Sequence, residues 1–296
     1  MTRVDPADTI TVRGATLRRD PAREPCFHVV YLHCDLHLST DLSDESRRER
    51  LHRDVNNEMQ SLEIAAQSLA DFPEAPWELR LELARQCWDE TRHAAIGYRE
   101  LLARGGYKGE FPIANTEWGV VCAQDSLEGR LAIQNRSFEA GTLDSMRSEL
   151  VVFETIGDQH TVELIDALMA DEVQHVRFAN HWIKRMAQSD PRVLLRVATA
   201  ITALRNVNAA LKPRPGEMSV NGKALGSSDT SVFQVSSADR GASGFSEAEV
   251  REVVRQDLHN RPESELTATE QLQRFIQVVR QGHRDWPASP SGTGDS

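Results

Sequence analysis

Cysteine is scarce: four in 296 residues, none in a Cys-x-x-Cys spacing. That excludes a disulfide scaffold and leaves free thiols in a reducing, cytoplasmic compartment as the expectation. Long apolar runs are missing. No stretch approaches the ~18–20 residues of a membrane span. Met1 to Arg19 lacks the apolar core of a secretory leader, so no signal peptide is expected. Basic blocks are missing too, since 34 Lys and Arg stand against 45 Asp and Glu, a formal net charge of −11. A nucleic-acid face needs clustered positive charge, so nucleic acid is not an expected partner, and neither is an anionic membrane. Aromatic residues make up only 6%, yet hydrophobic content reaches 40%, enough for a sizeable core. The length allows one large domain or two small ones.

Two short segments stand out against this background. Asp89-Glu90-Thr91-Arg92-His93 and Asp171-Glu172-Val173-Gln174-His175 share Asp-Glu-x-x-His, 82 residues apart. On a helix, residues i and i+3 lie on one face, about 5–6 Å apart at Cβ. Each segment therefore aims a carboxylate and an imidazole at one point. Glu58 precedes Glu90 by 32 residues, and Glu139 precedes Glu172 by 33. In an antiparallel helix hairpin, residues at equal height are equidistant from the turn. The first midpoint is Glu74, inside Phe72-Pro73-Glu74-Ala75-Pro76. The second lies between Thr155 and Ile156, beside Gly157-Asp158. Both carry chain-breaking residues. A Glu-x-x-His from each of two helices, with one Glu from each of two others, is the two-metal carboxylate pattern of a four-helix bundle. Chance Glu-x-x-His pairs are common where 27% of residues are charged; two copies with mirrored partners are not. Glu63 is the alternative first-helix ligand, with a midpoint to Glu90 just past Pro76.

The predicted fold is all-α. Residues 1–40 form an irregular arm, in which Thr9–Val12 and Phe27–Leu32 read as a small hairpin or an extended strap. The bundle spans 41–212. Its helices are predicted at 43–71 with a break near Arg53, 76–104, 126–155 and 159–188, with a fifth at 194–211. A long crossover, 105–125, joins the second helix to the third and packs on the outside of the bundle. Residues 213–246 are a Gly/Ser/Pro-rich linker or lid. Residues 247–296 form a helical extension, with helices near 247–258 and 267–281 and a tail from 282.

Several residues admit two readings. Asn135, one turn before Glu139, is either a donor to a metal-bound carboxylate or an ordinary interhelical contact. Gly141 marks a local bulge, a close approach, or a packing need. Cys87 lines the pocket or fills the core. Arg92 and Arg177 sit beside the site or in external ion pairs. Cys26, His28, His33, Cys34 and His37 could hold zinc, but they interrupt an extended apolar run that packing explains equally well.

Four stretches carry a family resemblance: Asn57–Glu63, Asp89–His93, Gln134–Ala140 and Asp171–Phe178. Over roughly Asp20 to Met186 the chain resembles the ferritin-like superfamily, and is most similar to poorly characterised bacterial ferritin-like proteins. The resemblance implies a two-iron site, with Mn/Fe as the variant, held by Glu58, Glu90, His93, Glu139, Glu172 and His175. It implies that Glu90 and Glu139 bridge the ions while Glu58 and Glu172 are terminal. It also implies that Asp89 and Asp171 each accept the free N–H of the imidazole in the opposite motif. The expected function is an O2-dependent oxidase or oxygenase acting on a small organic substrate, with an electron donor. Iron handling as a ferroxidase or peroxide scavenger is the first alternative. An RNA-modifying oxygenase is the second, with a local basic face around Arg47, Arg48, Arg50 and Arg53. A scaffold with a vestigial site is the third. A homodimer is left open.

Overall fold

The computed structural model describes residues 4–37, 43–214, 216–217 and 234–260. Helices dominate them: α1 (Asp44–Asp71), α2 (Trp77–Ala103), α3 (Thr116–Val121), α4 (Leu127–Ile133), α5 (Ala140–Ile156), α6 (Gln159–Ser189), α7 (Arg192–Leu211), α8 (Ser237–Ala242) and α9 (Glu247–Asn260). A two-stranded hairpin, β1 (Thr9–Val12) and β2 (Ala15–Arg18), precedes them. No helix among the described residues is long and apolar enough to cross a membrane.

The helix ends follow from the sequence. Ser43 caps α1 by accepting from the Ser46 N–H, and Ser126 caps α4 by accepting from Gly129. Asp158 caps α6 through the Thr161 N–H, directly after Gly157 stops α5 at φ +77°. The two hairpin turns thus fall at the expected midpoints. The predicted break near Arg53 does not occur. Arg53 instead pairs with Glu49 one turn earlier, at 3.0 Å, and α1 runs through.

The predicted third helix is divided. A π-helical turn, Gln134–Glu139, joins α4 to α5 and ends two residues before Gly141. Such a turn adds a residue to the helical repeat and is often found at functional sites. Here it re-aims Glu139 inward.

The arm differs from its sequence reading. The partner of Thr9–Val12 is Ala15–Arg18, across a two-residue turn in which Arg13 and Gly14 both have positive φ. Phe27–Leu32 forms no strand; Val29 makes a single parallel bridge to Ile113 in the crossover. The crossover is not on the outside. Trp118 donates its N–H to Gln60 of α1 and its indole N–H to the Arg19 carbonyl. Val121 and Cys122 are fully buried, in a core shared with Leu17 and with Leu204, Val207 and Leu211 of α7.

Of the predicted linker or lid at 213–246, residues 215 and 218–233 lie outside the described residues, and Ser237–Ala242 is helical. Helix α8 docks on α5 through Arg240–Asp144, at 2.6 Å, and Asp239–Arg147, at 2.8 Å. The second predicted C-terminal helix, 267–281, and the tail lie outside the described residues. Asp144 and Arg240 are both nearly buried. Removing one partner of a buried pair leaves the other charge uncompensated, so Asp144→Ala is expected to cost about 3 kcal/mol. Urea unfolding measures this, and metal uptake should be unchanged because Asp144 lies away from the cluster described next.

Candidate metal centre

Four helical segments deliver six side chains to one place. Glu58 comes from α1, Glu90 and His93 from α2, Glu139 from the π-helical turn, and Glu172 and His175 from α6. All but Glu58 are at most 4% exposed. Glu58 is half-buried and faces a cavity. Two sets of potential ligand atoms converge, each within 4.8 Å of one another: Glu58, Glu90, His93 and Glu172, then Glu90, Glu139 and His175. This buried Glu/His group can hold a metal ion.

The helix arrangement explains the convergence. His160 meets Glu100 near one end of α2 and α6, while His93 meets Asp171 farther along. The two helices therefore run antiparallel, and each motif's Glu lies opposite the other's His. Glu90 approaches Nδ1 of His93 at 3.2 Å with one oxygen and Nδ1 of His175 at 3.5 Å with the other. Glu172 does the same, at 3.3 Å and 3.7 Å. Glu58 lies 3.3 Å from His93, and Glu139 falls in the His175 set. The carboxylates that approach both imidazoles are thus Glu90 and Glu172, and Glu90 belongs to both sets of potential ligand atoms.

An outer layer orients the imidazoles. His93 Nε2 lies 3.3 Å from Asp171, and His175 Nε2 lies 3.4 Å from Asp89. Each Asp thus faces the opposite motif's ring, with Nδ1 of both rings left toward the carboxylates. Arg92 ties the two aspartates together, at 2.7 Å and 2.6 Å. Burial opposes the Asp89 charge, but His175, Arg92 and Arg85 outweigh it and hold its carboxyl well below the usual range. Arg177 lies elsewhere and donates to the Ala242 carbonyl.

Glu63 is not part of the cluster. It pairs with Arg23 of the arm at 2.7 Å. Glu63→Ala is therefore expected to leave metal affinity unchanged, whereas Glu58→Ala should weaken it at least about tenfold by removing a charged ligand. Metal titration of the two variants checks the contrast. Cys87 packs at the α1–α2 interface, with its thiol toward the Leu62 carbonyl. The zinc reading of Cys26 to His37 has no convergent group among the described residues.

Asn135 donates to Glu139 at 2.8 Å and to Gln86 at 3.1 Å. Gln86 in turn donates to Glu90 and Glu139. Sequence reading missed Gln86, although it stands four residues before Glu90 as Asn135 does before Glu139. It also missed Gln134, which links Glu139 to Ser61, and Glu117 of α3. Nothing in the sequence around Glu117 marks it. The crossover carries it to the cavity wall, where burial and the charges of Glu139 and Glu90 push its carboxyl up to about 8.

The donor set tests well for a metal. Buried Oε2 of Glu90, Oε2 of Glu172 and Nδ1 of His175 make no hydrogen bond. Orphaned buried polar atoms are costly; Oε2 of Glu172 lies 3.7 Å from Nδ1 of His175, and Oε2 of Glu90 lies toward His93. Without a cation, protons must neutralise it. Burial and the Glu172 charge push Glu90 up to about 8, and burial pushes Glu139 well above the ordinary range. Glu58 is raised by burial as well. Burial also opposes the Glu172 charge, but the imidazoles of His175 and His93 outweigh it and bring the carboxyl down to about 2. Burial would lower both histidines, yet the surrounding carboxylates raise them. Four carboxylates and two imidazoles are a ligand set suited to Fe or Mn.

A family described as a protein of unknown function, DUF455, matches residues 7–203. No curated protein and no solved structure matches the chain.

Proposed function

We propose, for a chain that belongs to the DUF455 family of proteins of unknown function, a ferritin-like bundle holding two metal ions, iron or a Mn/Fe pair, and acting as an O2-dependent oxidase or oxygenase on a small organic substrate. The observation that carries this reading is the cavity. It measures about 810 Å³, and its wall includes Glu58, His93, Glu139 and Glu172. That size suits a small-molecule site. A cluster meant only to lock helices together would have no use for a chamber on one face.

The bound metals would supply the redox chemistry on O2, with electrons from an external donor. The chain's own residues do the rest. Glu58, Glu90, His93 and Glu172 would hold one ion, and Glu90, Glu139 and His175 would hold the other, with Glu172 close to both imidazoles. Gln86 and Asn135 fix the Glu139 carboxylate. Asp89 and Asp171 hold each ring with Nδ1 inward. Half-buried Phe138, Ile96 and Leu168 line the wall beside the cluster and give it an apolar flank. Glu117 stands on that same wall, within the chamber a substrate would occupy, and in the metal-free protein burial and the charges of Glu139 and Glu90 raise its carboxyl.

Anaerobic loading with Fe(II), then metal analysis and O2 uptake, tests the proposal. About two ions per chain are expected, with O2 consumed by the loaded protein. Thousands of ions per assembly would point to storage instead. One zinc per chain with no iron uptake would overturn the reading.

A further inference from the structure

The cavity continues well past the cluster. It lies lengthwise between the α1–α2 and α5–α6 hairpins, toward the end where Gly157 turns the chain. Its walls follow one stripe on each helix. Ile96, Glu100 and Arg104 succeed His93 on α2. Leu168, Leu164 and Thr161 lead away from Glu172 on α6, and Val55, Leu51 and Arg47 lead away from Glu58 on α1. Eleven residues separate Glu58 from Arg47, and eleven separate His93 from Arg104. At 1.5 Å per residue, both arginines stand about 16 Å from the cluster. Leu51, Val55, Ile96, Leu164 and Leu168 face inward yet are only half-buried, because they border open space instead of packing.

The far end is charged. Arg47, Arg50 and Arg104 line it, together with Glu100 and Glu149, while Arg53 and Asp54 stand on the wall between it and the cluster. The acids are largely spoken for. Glu100 lies 3.2 Å from His160, and Glu149 lies 3.5 Å from Arg50. Burial pushes Asp54 upward and, with the Asp54 charge, brings Glu149 up to about 7, so neither holds its negative charge easily. Two guanidinium groups keep donors in reserve. Arg47 reaches Asp158 only at 3.7 Å, and its buried Nε has no hydrogen-bond partner. Arg104 makes no ion pair within 4.0 Å among the described residues, although its charge, like that of Arg47, acts on the Asp158 carboxylate.

We propose that this cavity binds an elongated organic anion, its head on Arg47 and Arg104 and its apolar chain directed along the bundle to the Glu/His cluster. The geometry would present the far end of the chain, not the head, to the reacting centre. That orientation rests on the metal reading above; binding itself does not.

Isothermal titration of the full chain, as purified, with three probes of equal chain length tests the assignment: dodecanoate, dodecanol and dodecyltrimethylammonium, all below micelle formation. Dodecanoate is expected to bind once per chain and at least about tenfold tighter than the alcohol, the scale of one charge-assisted contact. The cation should not bind. Arg47→Gln/Arg104→Gln should erase most of the preference for the acid over the alcohol. Leu168→Trp should shorten the chamber at its inner end and shift preference from dodecanoate to octanoate. Circular dichroism of both variants should match wild type. Equal affinity for all three head groups, or no binding of dodecanoate by wild type, overturns the proposal. If dodecanoate binds with the expected preference while no metal is taken up, the cavity assignment stands and the metal reading alone falls.

Discussion

Glu90→Ala/Glu172→Ala is expected to abolish metal binding and, with it, the metal-linked rise in Tm. Both carboxylates span the two imidazoles, so their loss empties both halves of the site at once. Metal bound only by the native state stabilises it by about 2.7 kcal/mol at a hundredfold excess over Kd. For a chain of this size that is a rise of roughly 5–10 °C in wild type. The double variant should show none; of the two acids it loses, Glu90 opposes folding when charged and Glu172 supports it, so the metal-free variant should still fold, which circular dichroism checks.

The effect carries a pH signature. In the metal-free protein Glu90 is pushed up to about 8, and Glu139 and Glu58 are raised too. Between the ordinary carboxylate range and about pH 8, the folded state therefore holds more protons than the unfolded chain. Its stability falls as pH rises through that window. The raised histidines have the same sign: their contribution is full below the ordinary imidazole value and is lost as pH climbs toward their folded values. Glu172, held down at about 2, acts oppositely, but its contribution is lost only in acid below the carboxylate range. Metal must displace the shared protons. The rise in Tm on adding Mn(II) should thus be small at pH 5 and large at pH 8. Thermal melts of both proteins at both pH values check this. An equal rise in wild type and double variant would place the metal elsewhere.

The second large effect lies one layer out. Asp89→Asn and Asp171→Asn should each weaken metal binding by roughly 10–100-fold, the usual cost of removing the charge behind a ligating imidazole. Asp89 faces His175, and Asp171 faces His93. Arg92 contacts both aspartates, so the two substitutions share a partner and their effects should not add. Each replacement leaves Arg92 with one carboxylate and preserves an acceptor oxygen, so folding should be little changed. Competition with a chelator of known affinity measures the loss. Wild-type affinity in both variants would reduce the aspartates to surface ion pairs.

The helices and their turns were legible because local signals agreed. Ser43, Ser126 and Asp158 cap helices at the expected positions, and the Phe72–Pro76 and Gly157 breaks fell at the mirror points of the carboxylate pairs. The members of the cluster were legible because a helix fixes i and i+3 on one face. What the sequence did not show depends on how helices meet. The Glu-to-Glu spacing is nearly the same in both hairpins, so spacing alone cannot say which carboxylate spans both rings. The antiparallel placement of α2 and α6 decides it for Glu172. Glu58 and Glu63 differ by little more than one turn, and it is the contact of Glu58 with His93 and of Glu63 with Arg23 that separates them. The π-helical turn at Gln134–Glu139 has no local signature beyond the nearby Gly141. Glu117 and the cavity arise from chain packing over long sequence distances, where periodicity says nothing. Of the two readings of the arm, the hairpin between Thr9–Val12 and Phe27–Leu32 fails because Thr9–Val12 pairs across Arg13-Gly14, a less marked turn pair than Asn-Gly, whereas an extended run at Phe27–Leu32 agrees with the Val29–Ile113 bridge.

The central claim is that six side chains from four helical segments hold two metal ions between them. Anomalous difference density from a crystal of the protein loaded with Mn(II) tests it most directly. The expected result is two peaks about 3.5–4 Å apart, each within ligand distance of Glu90 and Glu172, one also beside Glu58 and His93 and the other beside Glu139 and His175. A single peak, two peaks that share neither Glu90 nor Glu172, or density confined to surface carboxylates would contradict the account.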